Sequence, residues 1–144
     1  MSKKRKGVDA ASALRGVPLL AGLNDKQLRI IERQAKEVTF SEGKVLCKEG
    51  EMGTGLHVIL EGETKVQVRG RTRRRLGPGA FYGEIALLDG GPRTATVVAE
   101  TDGRLLSIPV WNFKNLIKEY PTMALKMLEE VAARLRETDA SIQK

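Results

Sequence analysis

The chain of 144 residues has a single cysteine, Cys47, and a single histidine, His57. One cysteine excludes an internal disulfide, and one histidine beside it leaves no Cys/His set to hold a metal ion. A lone thiol fits a reducing compartment, so a cytoplasmic setting is expected. No apolar run approaches the roughly 20 residues of a membrane-spanning helix. Residues 17–23 are too short and too broken for the core of a signal peptide. Ser, His and carboxylate residues do not group as a nucleophile with its base. Nor are carboxylates arranged for the metal chemistry of a nucleotide cyclase or phosphodiesterase. The expectation is a protein that is not an enzyme, with no catalytic residues.

Charge is plentiful, and its placement matters more than its total. The formal net charge of +7 suggests nucleic acid as a partner. Yet Lys3, Lys4, Arg5 and Lys6 form one basic cluster, and Arg71, Arg73, Arg74 and Arg75 form another. Without them the chain is close to neutral. The first cluster reads as a flexible tail over residues 1–8, the second as a hairpin. Neither comes with a recognised DNA-reading motif.

From residue 9 to 144 the pattern is that of a single domain. Asp9 can cap a short helix to Leu14. Asn24 caps a firmer one, with Gln27 at the third helical position and Leu23 and Leu28 at staple spacing. Leu28, Ile31 and Ala35 recur at helical spacing and should face the core. Helices are thus expected within residues 9–35. From Val38 the period changes to that of strands. Seven short runs, at residues 38–40, 44–46, 56–60, 64–68, 73–76, 95–99 and 104–108, are separated by turn signals such as Gly77-Pro78-Gly79. Short strands at close, even spacing predict a small antiparallel barrel or jelly roll over residues 38–108. Helical spacing returns over residues 110–140. Phe113, Leu116, Ile117 and Tyr120 mark one helix face. Pro121 can open a second helix, whose apolar stripe reads Ala124, Leu128, Val131 and Leu135. Met123 and Met127 read as core on that helix, His57 as a sheet or surface histidine, and Cys47 as a packing residue beside Leu46.

Residues 83–97 interrupt the strands with a different chemistry. Gly83 lets the backbone approach a ligand closely. Glu84 to Leu88 can make one helical turn whose free N–H groups face an anion. Gly90-Gly91-Pro92 reverses the chain. Arg93 then offers a planar fork of donors suited to phosphate oxygens. Glu84 accepts and does not donate, so it suits a sugar hydroxyl and not phosphate.

Here the sequence resembles a family. Gly83-Glu84-Ile85-Ala86-Leu87 and Pro92-Arg93-Thr94-Ala95-Thr96-Val97 match the phosphate-binding cassette of cyclic-nucleotide-binding domains, as in the regulatory subunit of cyclic-AMP-dependent protein kinase and the bacterial catabolite activator protein. The departure is Tyr82, where Phe is usual. The resemblance implies an α+β fold: an antiparallel β-roll that holds the nucleotide, with helices at both ends. It implies that Glu84 binds the ribose 2′-hydroxyl, that Ala86 offers its backbone N–H to the phosphate and that Arg93 binds the phosphate. Gly83, Ile85, Ala95 and Val97 would line the same site. By likeness to cyclic-GMP-dependent kinases, Thr94 and Arg74 are candidates for reading guanine. The last helix is the family's lid, so Leu128, Val131 and Leu135 are candidates to cover the base.

The expected function is therefore a stand-alone receptor for cyclic AMP, or cyclic GMP, with no metal. Ligand would shift the C-terminal helices, read by a protein effector or by a homodimer through the last helix. Two alternatives are a degenerate fold serving as an interaction scaffold and a DNA-associated regulator using the basic clusters. Intact Glu84 and Arg93 argue against the first. Against the second, the residues after the last helix leave no room for a helix-turn-helix. Any duplex binding should therefore be weak, indifferent to sequence and steeply salt-dependent. Footprinting near physiological salt checks this, and protection of one defined sequence would overturn it.

Overall fold

The computed structural model of the chain describes residues 7–83 and 91–142. Two four-stranded antiparallel sheets face each other, and helices cover the outer side of one of them. The strands are β1 (Lys36–Phe40), β2 (Val45–Cys47), β3 (Gly55–Glu61), β4 (Thr64–Val68), β5 (Arg71–Leu76), β6 (Phe81–Tyr82), β7 (Thr96–Ala99) and β8 (Gly103–Pro109). One sheet has the order β1-β8-β3-β6, the other β2-β7-β4-β5. The antiparallel roll expected from the spacing, with the flanking helices that the resemblance implied, is the observed α+β fold. Strand β6 was not foreseen, because two residues carry no readable period.

The helices follow from their caps. In α1 (Ala10–Arg15) the Asp9 carboxylate accepts from Ser12 N at 2.7 Å. In α2 (Asp25–Gln34) Asn24 and Gln27 close a full capping box, with bonds of 2.9 and 3.0 Å. Such a cap is worth about 1 kcal/mol. Helix α2 ends at Gln34, so Ala35 is its extended C-cap, and it still packs half-buried against the core. One turn of 3-10 helix, Pro18–Leu20, lies between α1 and α2. After β8 come α3 (Val110–Glu119) and α4 (Pro121–Ile142), the latter opened by Pro121 as expected.

Strand alternation divides the interior in two. Leu56, Val58 and Leu60 of β3, with Leu106 and Ile108 of β8, face the helices and pack with Leu14, Leu20, Ile31 and Phe113. Ile59 and Leu105 point the other way, into the roll, where they meet Phe40, Val66, Leu76, Val97 and Ala99. Successive side chains on a strand alternate faces. β3 and β8 are covered on both, which is why residues 56–60 read as a nearly unbroken apolar run.

The last helix corrects the expected stripe. Its buried residues are Met123 and Met127, with Val131 half-buried, while Leu128 and Leu135 are 64% and 61% exposed. Both lines of residues are apolar and adjacent on the helix, and spacing alone does not rank them. Packing against the 3-10 turn and α3 selects the methionine line. Each buried side chain contributes about 1.5–3 kcal/mol. Two of them fix the foot of α4 and leave its far half without a described apolar contact beyond Val131.

Candidate functional site

The site is best built from Arg93, because it is a buried cation. Its residue exposure is only 8%. Its backbone is clamped first: Arg93 N donates to Glu51 O at 2.7 Å, and Gly50 N donates to Arg93 O at 2.9 Å. A bridge between Met52 and Pro92, and a bond from Gly53 N to Gly91 O at 2.9 Å, extend this pairing. The stretch from Gly50 to Gly53 is thus the support for the cassette's outgoing arm. The side chain then reaches β3, where Nη2 donates to the Gly55 carbonyl at 2.8 Å.

Two glycines make room for this. Gly83 has φ +84°, and a Cβ there would overlap Arg93 Nη1 and the Gly55 carbonyl oxygen. Gly55 has φ +149°, and its Cβ would overlap the Ile108 carbonyl. A side chain at either position would meet both strain and a clash. Gly83 therefore brings the backbone close to Arg93, its partner in the expected anion site.

Beneath the guanidinium lies an aromatic ring. Arg93 Cζ is 5.6 Å from the Tyr82 ring centroid, within cation–π range. The Tyr82 hydroxyl is 2.7 Å from His57 Nδ1, and the two rings meet edge to face at 4.9 Å and 83°. His57 and Tyr82 are cross-strand partners of β3 and β6. Burial, with the positive charge of Arg93 adding to it, lowers the His57 pKa from 6.5 to about 4. Burial raises the Tyr82 hydroxyl well above its ordinary value, and Arg93 only partly opposes this. Burial likewise pushes the Cys47 thiol up; that thiol donates to Ala95 O at 3.5 Å. The His57–Tyr82 pair is therefore neutral on both sides near pH 7. Sequence reasoning passed over it: His57 reads as an ordinary strand histidine, and only the register of β6 brings Tyr82 opposite.

The remaining expected residues are placed as follows. Cys47, Val97, Val66 and Arg74 are successive cross-strand partners across β2, β7, β4 and β5, so they stand in one row. Val66 and Val97 belong to the cluster inside the roll, so Arg74 shares the inner face with them, while its side chain is exposed at the end of the row. The structure thus sets Arg74 and Val97 in one row, with Val66 between them. Ala95 is half-buried against the same cluster, and Thr94 beside Arg93 is exposed. Glu84, Ile85 and Ala86 lie outside the described residues, as do the helical turn expected there, Gly90 of the turn that follows it, and the basic tail at Lys3 to Lys6. Leu128 and Leu135 stand in solvent. Among the described residues, no three His, Cys, Asp or Glu side chains group as metal ligands would, and no helix is long and apolar enough to cross a membrane.

A two-sheet roll with a buried arginine behind a left-handed glycine defines the class. The chain belongs to the cyclic nucleotide-binding domain family, whose model matches residues 37–120. It is 31% identical over 134 residues to the cyclic AMP receptor protein of Thermus thermophilus, covering 90% of this chain and 62% of the relative. It is 35% identical over 107 residues to the mouse potassium/sodium hyperpolarization-activated cyclic nucleotide-gated channel 2, covering 74% of this chain but 12% of the channel. The chain therefore spans less than two thirds of these relatives' length. Among solved structures, the N-terminal domain of a transcriptional regulator from Streptomyces coelicolor superposes with a TM-score of 0.83 at 35% identity, covering 89% of this chain and 95% of that one. The catabolite activator protein of Thermus thermophilus gives 0.68 at 30% identity, covering 88% and 62%.

The neutral His57 has a measurable consequence. The unfolded chain takes up a proton near 6.5, whereas the folded chain resists it until about 4. The histidine's contribution is thus complete above 6.5 and is lost as the pH falls towards 4. Its full size is roughly 3 kcal/mol. Urea unfolding at intervals across this window should show the parent losing stability on acidification, and His57→Asn losing less. Equal slopes for the two proteins would contradict the assignment.

Proposed function

We propose that this chain is a cyclic-nucleotide receptor, not an enzyme, acting in the cytoplasm and binding cyclic AMP first, with cyclic GMP also accepted. The carrying observation is Arg93: a guanidinium held between the Gly55 carbonyl, Gly83 and Tyr82, at the exit of the cassette. In this reading Arg93 takes the phosphate and Glu84 the ribose hydroxyl. Gly83, Ile85, Ala86, Ala95 and Val97 line the pocket, and no metal is used. Arg74 and Thr94 are the candidates for reading the base. Arg74 is supported by its place on the inner face in the row with Val97. Likeness to a cyclic AMP receptor protein supports cyclic AMP as the first ligand.

The signal would leave through α4. Its foot is packed and its far half is exposed, so a nucleotide that touches Leu128, Val131 or Leu135 can favour one helix position over another by differential affinity. Leu128, Val131 and Leu135 are spaced as the a and d positions of a heptad, which suits a second copy of the helix. We propose a homodimer along this line, read in turn by a protein effector. Sedimentation should give a dimer that Leu128→Lys disperses. A monomer at high micromolar concentration would exclude it.

Calorimetric titration with both nucleotides tests the receptor reading directly. Arg93→Ala should cost roughly 2–4 kcal/mol of binding through loss of a charge-assisted pair. Arg93→Lys should recover only part, because an ammonium cannot bond two oxygens in one plane. Thr94→Ala should cost cyclic GMP about 1 kcal/mol and cyclic AMP less, if Thr94 selects the base. An Arg93→Ala protein that binds as tightly as the parent would refute the cassette assignment.

A further inference from the structure

We propose that Tyr82 and His57 form a positioning pair that holds the Arg93 guanidinium in register for the ligand's phosphate, a role that rests on the receptor reading above. The Tyr82 ring lies under Arg93 Cζ at 5.6 Å, and its hydroxyl is fixed by His57 Nδ1 at 2.7 Å. His57 sits two residues after Gly55 on β3. Gly55 takes Arg93 Nη2 at 2.8 Å, and His57 takes the ring beneath it. One short piece of β3 therefore fixes the cation and its aromatic floor together. A phenylalanine at position 82 would supply the ring without the bond that sets its tilt.

The pair also satisfies two groups that could not be buried alone. A phenol and an imidazole each lose water when the roll closes, and each needs a partner there. A neutral imidazole has one accepting nitrogen and one donating nitrogen. The proposed role takes the tautomer in which Nδ1 accepts the phenol proton, so that the Tyr82 oxygen gains electron density. The ring face towards Arg93 becomes more negative, which strengthens its hold on the cation. A protonated imidazole would lose that acceptor and repel the guanidinium, so burial of His57 preserves the arrangement. Tyr82 touches no phosphate in this scheme and acts through Arg93.

Titration of cyclic AMP and cyclic GMP into the parent, Tyr82→Phe, His57→Ala and His57→Gln tests the proposal, with Tyr82→Phe repeated in an Arg93→Ala background. Tyr82→Phe and His57→Ala should each weaken binding by about fivefold to tenfold, the equivalent of one buried hydrogen bond. His57→Gln keeps an amide within reach of the hydroxyl and should recover part of the loss. In the Arg93→Ala background Tyr82→Phe should have no further effect, since its action runs through the missing side chain. Independently of any nucleotide, the Arg93 Nε–H resonance should exchange with water faster in Tyr82→Phe than in the parent. Tyr82→Phe keeps the shape of the ring, so it remains informative where His57→Ala fails to fold. Tight binding by the parent with parent-like affinity and parent-like Arg93 exchange in Tyr82→Phe would overturn the pair and leave the receptor standing. Equal losses with and without Arg93 would do the same. A parent that binds neither nucleotide would overturn the receptor reading and this role with it.

Discussion

A single buried guanidinium constrains everything around it. Removing a charge from water is costly unless partners replace the water, and leaving one of those partners out is costlier still. Among the described residues, Arg93 meets a carbonyl from β3 and the face of an aromatic ring from β6. The carbonyl can approach only because residue 55 is glycine. The cassette can enter beside the guanidinium only because residue 83 is glycine in a left-handed conformation. The arm that carries Arg93 must in turn be held by the backbone of residues 50–53. One sheet, two loops and an aromatic pair thus meet at one cation.

The roll itself was legible because its signals are local. A capping box at Asn24, short apolar runs at residues 56–60 and 104–108 bounded by turn signals, and proline at the start of a helix each act within a few residues. The same holds for the cassette, whose glycine and arginine are set in a fixed order. What escaped depends on register. The row of Cys47, Val97, Val66 and Arg74 comes from three pairings between strands far apart in sequence. The His57–Tyr82 contact depends on a two-residue strand with no period of its own. The last helix was misread for another reason. It carries two neighbouring apolar lines, and only the position of the 3-10 turn and α3 decides which is buried. Met123 and Met127 had been read as core, whereas the stripe through Leu128 and Leu135 faces water.

The two ends of α4 have different roles in consequence. Near Pro121 the helix is part of the domain core. Beyond Val131 it owes little to that core and carries apolar residues on a surface that water would otherwise cover. Among the described residues, no buried apolar side chain ties the helix to the core beyond Val131, so its far half can shift without loosening the roll.

Strand β5 has a further consequence for the protein in bulk. Among the described residues it pairs only with β4, so it stands at a sheet edge, and the edge of a sheet is a template on which another chain can add. Here that edge is guarded. Arg71, Arg73, Arg74 and Arg75 crowd it with like charge, and the ladder is broken by a bulge between Val66 and Gln67 that leaves Arg73 without a partner in the register. An incoming strand would have to bring its own negative charge and match an irregular ladder. The arginines that look in sequence like a nucleic-acid patch thus help keep copies of this small roll from polymerising edge to edge.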